Sequence, residues 1–417
     1  MRSTQALLCA SLLAVAAALP ATAAESDGFL YGRVTTDDGQ TYQGRLRWDD
    51  EEAFWGDYFN SAKEDNVWVD QAPRRERERR RKSIEVFGVE IGSIDGWEDV
   101  HEGRQFIARF GDIARIEPRF GDEVVVTMKS GTKFELEGGS NDVEAEVRVW
   151  DGSLGVVELD WRRIRAIDLM PTPALGAVPL RLHGTVETRS GNFTGFVQWD
   201  QEECLGPDEL DGETMDGDMS IAMGNIRAIE RRSRDSSRVF LRDGRDVVLS
   251  DTNDVDDSNR GIYVDDPRYG RVLISWDAFE RVQFSDGGSG PAYGDYPAGS
   301  VLAGTVTTLD GRKLSGRLVY DLDESETTEM LDGERNDVEY SIPFALVASV
   351  IPARDRSRVV LRTGEEVVLE DAVDVSDDNA GLLVFEAGKE RPTYVPWDDV
   401  DRVDFDAPKA SYPPARR

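Results

Sequence analysis

Histidine and cysteine are almost missing: the 417 residues contain two of each, and Cys9 falls in the N-terminal leader. With Cys204 the only thiol left after processing, an intramolecular disulfide in the mature chain is excluded, and so is a cysteine-rich metal cage. His183 lies in a strand-like run and His101 in an inserted segment, neither beside a serine or cysteine arrangement, which disfavours histidine-based hydrolysis and zinc chemistry. Long hydrophobic runs are also absent beyond the first 20 residues, so no transmembrane span is expected. Positive charge is scarce. Forty-nine Lys and Arg stand against 82 Asp and Glu, a net charge of -33 that repels phosphate backbones and excludes a general nucleic-acid binder.

The leader is informative. Met1-Arg2, an apolar run from Ala6 to Leu19, then Pro20 and the small residues Ala21-Thr22-Ala23-Ala24 form a secretory signal peptide over residues 1–24. The mature chain is expected to be exported, periplasmic or extracellular.

What remains is a repeat. An aromatic or Met followed by apolar residues at three-residue steps occurs six times, ending at Ile116, Ile167, Ile229, Val282, Val350 and Val403. A turn glycine precedes each copy: Gly39, Gly131, Gly191, Gly244, Gly311 and Gly364. From glycine to last apolar residue the distance is 36 to 39 residues in five units and 77 in the first. The flanking segments alternate apolar and polar residues around these turns, a β-hairpin pattern, and helical periodicity is lacking. The i, i+3, i+6 tail suits a 3₁₀ turn leading into a strand.

The expected architecture is all-β: six tandem small barrel units arranged as three pairs, over residues 25–170, 178–285 and 301–406. Proline- and glycine-rich seams separate the pairs, and 407–417 forms a loose tail. The opening units resemble SH3-like and Sm-like barrels. Val34, Gly39, Gly44, Leu46 and Asp49 echo the first Sm motif, and Gly111-Asp112-Ile113 and Gly224-Asn225-Ile226 echo the second. The resemblance implies small five-stranded barrels. It does not carry RNA binding, because the Asn that follows the motif Asp in RNA-binding members is replaced by Glu51 and Glu52, Glu202 and Glu203, and Asp323 and Glu324.

Two features point toward function. An insertion at about 67–105 holds Arg74, Arg75, Arg77, Arg79, Arg80, Arg81 and Lys82, with Trp68 and Trp97 nearby, as candidate partner-binding residues. Such a run with nearby aromatics could dock an anionic envelope polymer, a lipid head group or an acidic envelope protein, or fold back onto the chain's own acidic surface. Acidic loops at Asp208–Asp218 and Glu329–Asp337 hold clustered carboxylates, with Asp211 and Asp332 as calcium candidates, yet neither fits an EF-hand loop. The sequence therefore assigns no metal, no cofactor and no catalytic set. The expected function is a non-catalytic envelope binding or scaffold protein; a carboxylate-based, glycosidase-like hydrolase and a Ca²⁺-binding structural protein are the alternatives.

Overall fold

The computed structural model describes residues 26–49, 51–64, 67–73, 105–138 and 142–408. The leader, the basic run 74–82, Trp97, His101 and the last nine residues lie outside the described residues.

Among the described residues thirty strands carry the fold, in three blocks of ten. The first block comprises β1 (Tyr31–Thr36), β2 (Thr41–Trp48), β3 (Tyr58–Lys63), β4 (Gln105–Arg109), β5 (Ile113–Pro118), β6 (Glu123–Met128), β7 (Lys133–Glu137), β8 (Val147–Asp151), β9 (Gly155–Leu159) and β10 (Ile164–Leu169). The second comprises β11 (His183–Thr188), β12 (Gly191–Gln198), β13 (Glu209–Thr214), β14 (Gly217–Ala222), β15 (Ile226–Ser233), β16 (Ser236–Leu241), β17 (Asp246–Ser250), β18 (Ile262–Asp266), β19 (Gly270–Ile274) and β20 (Phe279–Ser285). The third comprises β21 (Ala303–Thr308), β22 (Lys313–Val319), β23 (Met330–Glu334), β24 (Val338–Pro343), β25 (Val347–Ala353), β26 (Arg356–Leu361), β27 (Glu366–Glu370), β28 (Leu382–Phe385), β29 (Thr393–Val395) and β30 (Val400–Phe405).

Each block contains two antiparallel five-stranded sheets joined edge to edge, the strands of one nested along the chain within those of the other. In the second block the outer sheet runs β19-β18-β12-β11-β20 and the inner one β14-β13-β17-β16-β15. The first block has β9-β8-β2-β1-β10 around β4-β3-β7-β6-β5. The third has β29-β28-β22-β21-β30 around β24-β23-β27-β26-β25. Counted along the chain, the outer strands take lateral order 4-3-2-1-5. The inner strands take the same order if the chain is read as starting at strand 3, so the inner sheet is a circular permutation of the outer one, inserted between its second and third strands.

This differs from a tandem row of barrels. Strand 5 of each outer sheet pairs on one edge with its own strand 1 and on the other with strand 5 of the inner sheet, as β20 does with β11 and β15. Both its hydrogen-bonding edges are thereby occupied, and no pairing among the described residues closes either sheet into a barrel. The same union joins β10 to β5 and β30 to β25. A further antiparallel pairing, β19 with β24, merges the second and third blocks into one sheet.

Local chemistry explains the elements. The six turn glycines all adopt positive φ, where a side chain would be strained. The three-step apolar tail forms a 3₁₀ turn and then a strand in five of its six copies: Phe110–Asp112, Trp161–Arg163, Met223–Asn225, Phe344–Leu346 and Trp397–Asp399. The tail residues Ile116, Ile167, Ile229, Val282, Val350 and Val403 are all fully buried. Large aromatics fill each core. Trp48 packs against Phe59, Phe110 and Trp161 in the first block, Trp199 against Trp276 and Phe279 in the second, and Tyr320 against Phe344, Trp397 and Phe405 in the third.

The seam after the second block is not a free linker. Tyr293 and Tyr296 fold back onto the first block, where the Lys129 ammonium donates to both their carbonyls at 2.6 and 2.9 Å. Gly111 permits this approach, since a Cβ there would lie 2.4 Å from the Tyr296 ring. Among the described residues, no helix is long and apolar enough to cross a membrane.

Candidate functional site: an acidic junction of three blocks

One turn builds the site three times. After Trp48, Trp199 and Tyr320 the chain reverses through Asp49, Asp200 and Asp321, all at positive φ, a conformation Asp tolerates better than most residues. The aromatic polar atom anchors an acidic segment from far along the chain. Trp48 Nε1 donates to the Asp142 carbonyl, Trp199 Nε1 to that of Asp254 at the same 2.9 Å, and the Tyr320 hydroxyl to that of Asp374 at 2.7 Å. Glu52, Glu203 and Glu324, three residues after the reversal Asp, are buried, and in each the Oε2 atom has no hydrogen-bond partner.

Burial acts strongly on these carboxyls. It pushes Glu203 up to about 9, with the neighbouring Asp254 adding to the effect, and Asp254 itself rises to about 6. Burial likewise raises Asp142 to about 7 and drives Glu52 and Glu324 well above the usual carboxyl range. Burial thus favours the neutral form of at least one carboxyl inside each block.

A second recurring acid ties the blocks together. Asp57 Oδ2 accepts the backbone N–H groups of Ala53 and Phe54, both at 2.8 Å. Asp208 Oδ2 accepts those of Cys204 and Leu205, and Glu329 Oε2 those of Ser325 and Glu326. The other oxygen then faces a cation from another block. Asp57 meets Arg271 at 2.9 Å, Asp208 meets Arg47 at 3.2 Å, and Glu329 meets Lys63 at 2.8 Å.

Beside Arg271, the cation of the first of these contacts, lies a cleft of about 350 Å³. Tyr58, Asn60 and Gln105 line it from the first block, Tyr263 and Arg271 from the second, and Asp332, Glu334, Glu339, Tyr340 and Asp371 from the third. Its volume is within the usual range for small-ligand sites. Asp332 Oδ1 is buried without a hydrogen-bond partner, and burial together with Glu339 raises its carboxyl to about 6. Arg271, packed between the Tyr58 and Tyr263 rings at 4.6 and 4.9 Å, is already committed to Asp57 and Asp265.

The candidates read from sequence are scattered by comparison. Trp68 is half-buried against Phe385 and under the Arg317 guanidinium, while Ala72 packs on Leu322 and Ala380, so the start of the insertion is docked on the third block. Arg74, Arg75, Arg77, Arg79, Arg80, Arg81, Lys82 and Trp97 lie outside the described residues. Of the two calcium loops, Asp211 is exposed on strand β13, accepting from the Ser220 hydroxyl, and Asp332 faces the cleft. Neither loop folds as a cation-wrapping coil, because its residues form hairpins β13–β14 and β23–β24. His183 meets Ser285 Oγ at 2.8 Å as its cross-strand neighbour, and burial lowers its imidazole. The Cys204 thiol is buried and pushed well up by desolvation, which makes it inert. Neither the triple acid turn nor the cleft had been singled out, although Asp57, Asp208 and Glu329 each stand eight residues after the reversal Asp. Comparison of the chain with family models, curated proteins and solved structures finds no match.

Proposed function

We propose that the chain is an exported, non-catalytic binding or scaffold protein of the cell envelope. Its six nested sheets are taken as SH3-like or Sm-like units in three pairs, in keeping with the strand order 4-3-2-1-5. The observation that carries the reading is the cleft, where three separate blocks contribute walls and four carboxylates outnumber one already paired arginine. A buried carboxylate oxygen without a partner favours a donor that brings positive charge. The ligand that fits is a basic segment of a partner protein, with a Lys or Arg side chain reaching Asp332 beside the Tyr340 ring. The basic run 74–82 gives the same protein an element of opposite sign, suited to acidic partners.

Calorimetric titration of the full mature chain with a tetralysine peptide tests this. Binding that falls steeply between 0.05 and 0.5 M salt and drops at least about tenfold in Asp332→Asn and Tyr340→Ala supports it. Equal affinity in wild type and both variants refutes it. A second reading, the carboxylate hydrolase, draws on the raised Asp332 and Glu339 carboxyls in one cleft. Turnover of a glycan or peptide that vanishes in Asp332→Asn would replace the first reading with the second.

A further inference from the structure

The hairpin β18–β19 of the second block recurs pair for pair as β8–β9 in the first. Asp266 opposite Gly270, through to Ile262 opposite Ile274, matches Asp151 opposite Gly155, through to Val147 opposite Leu159. Both turns end on a glycine at positive φ, and in both the leading Asp accepts a backbone N–H from two residues on, Arg268 and Ser153. The outer edge of β19 is filled by β24, with Arg271 opposite Ser341, Val272 opposite Tyr340, Leu273 opposite Glu339 and Ile274 opposite Val338. Gly270 permits that approach, because a Cβ there would lie 2.7 Å from Pro343 Cδ. Among the described residues no strand pairs with the corresponding edge of β9, and a Cβ at Gly155 would meet nothing within 4 Å. In the third block, continuing the register of β28 and β29 by one step puts Pro392 at the position of Arg271, and proline has no N–H to offer an added strand. Of three equivalent edges one is filled, one is headed by a proline and one is open.

The open edge also keeps a vacant seat. On β19 the incoming Tyr340 ring rests against Tyr269 and Phe193, at 5.3 and 6.0 Å between centroids, and Tyr269 is only 8% exposed. Leu154 stands in the first block where Tyr269 does, and Tyr42 pairs with Val34 as Phe193 pairs with Val186. Leu154 is 67% exposed, and Val156, at the position of Arg271, is 54% exposed. The strand Gly155–Leu159 holds neither lysine nor proline, the residues that commonly guard an open edge. Glu158, at the position of Leu273, has its side chain largely in solvent, with Arg148 Nε at 3.6 Å. An opposite charge directly across the strand gap would be favoured there, and a like charge disfavoured.

We propose that β9 accepts an added antiparallel strand from a partner protein, in the register that β24 takes on β19. The partner segment carries an aromatic residue opposite Val157, seated on Tyr42 and Leu154, and beside it a Lys or Arg opposite Glu158. Main-chain hydrogen bonds to the strand edge supply affinity, and these two side chains supply the selectivity. A second copy of this chain does not meet the description through β14, its counterpart of β24. The hairpin β13–β14 matches β23–β24 in register, so Asp218 would stand opposite Glu158. The edge shares no residue with the acidic cleft, and the two sites are independent.

The probe is a fluorescein-labelled octapeptide with the sequence of residues 336–343 carrying Glu339→Lys, titrated into the full mature chain at physiological salt. The expected result is one saturable site, with amide exchange slowed across β9. Binding should be at least about tenfold weaker in Leu154→Asp and in Val156→Pro, the latter copying Pro392. Leu154→Asp sits at an exposed turn and decides the matter if Val156→Pro fails to fold. The same peptide with its natural Glu339 should bind the wild type several-fold more weakly than the lysine form. That order should invert in Glu158→Lys, a reversal that a loss of stability does not produce. Absence of saturable binding up to millimolar peptide overturns the proposal. So does binding that is unchanged in Leu154→Asp and Glu158→Lys; if it is lost in Asp332→Asn instead, the lysine has entered the cleft and the edge plays no part.

Discussion

Replacing Arg271 with Met should destabilise the junction of the first and second blocks by about 3 to 4 kcal/mol. The guanidinium is 5% exposed and bridges Asp57 at 2.9 Å and Asp265 at 2.8 Å, while Asp57 itself is 3% exposed. Burial works against the arginine's charge, but Asp265 and Asp57 more than offset it and hold the proton more firmly than usual. Removing one partner of a buried pair costs about 3 to 5 kcal/mol, because the remaining charge is left uncompensated. Arg181 remains 3.5 Å from Asp57 and 3.0 Å from Asp265, which moderates the loss. The packing on Tyr58 and Tyr263 adds about 1 kcal/mol back to it. Urea unfolding read by tryptophan fluorescence gives the total, and hydrogen exchange at β3 and β19 locates it. The double variant Arg271→Met with Asp265→Asn should recover about 1 kcal/mol or more of the single-variant loss. If Arg271→Met unfolds within about 1 kcal/mol of wild type, the junction is not held by this network and the ionic account of block packing fails.

Truncating Ile229 or Val350 to Ala should each cost about 2 to 4 kcal/mol, as fully buried residues do, and unchanged melting of both variants would rule out the core assignment. The raised carboxyls set a pH dependence. Between their unfolded values near 4 and their folded values of about 6 for Asp254, 7 for Asp142 and 9 for Glu203, the folded chain binds more protons than the unfolded one. Stability should therefore be present at pH 5 and fall toward pH 9, by at most about 1.4 kcal/mol per pH unit for each titrating group; a melting midpoint that climbs over that interval contradicts the burial of these acids. Replacing residues 64–104 by a two-residue turn like Met215-Asp216 should leave a folded protein, since β3 and β4 already pair from Tyr58 to Ala62. It should lower the melting midpoint by removing Trp68 and Ala72 from the third block, and an unfolded product would show that the inner sheet depends on the insertion.

The hairpins and tails were legible because their determinants are local. A glycine at positive φ, an alternating strand and three apolar residues at three-residue steps specify turn, hairpin and 3₁₀ entry without reference to the rest of the chain. The nesting was not legible, because the contiguous pairs β11–β12 and β18–β19 look alike in a tandem and a nested arrangement. The pairings of β12 with β18 and of β11 with β20 distinguish them, and both span the whole inner sheet. The seam residues Tyr293 and Tyr296 were hidden among prolines and glycines, although two tyrosines three apart in such a stretch signal an anchored segment. Individual carboxylates could not be ranked in so acidic a chain.

Nesting also sets an order of assembly. β12 and β18 are separated by about 60 residues of chain, but the inner sheet brings its own entry and exit together at Glu213 and Ser250. Once it has formed, the outer strands meet across about 20 flexible residues instead, and the loop-closure cost falls by about 1 kcal/mol. The same clasp operates at Ala62 with Glu137 and at Glu334 with Glu370. Each inner sheet, whose contacts are shorter in sequence, should therefore fold ahead of the sheet that encloses it. For the outer sheet of the first block, the length of the insertion between β3 and β4 then has no bearing on closure, because those residues lie beyond the clasp.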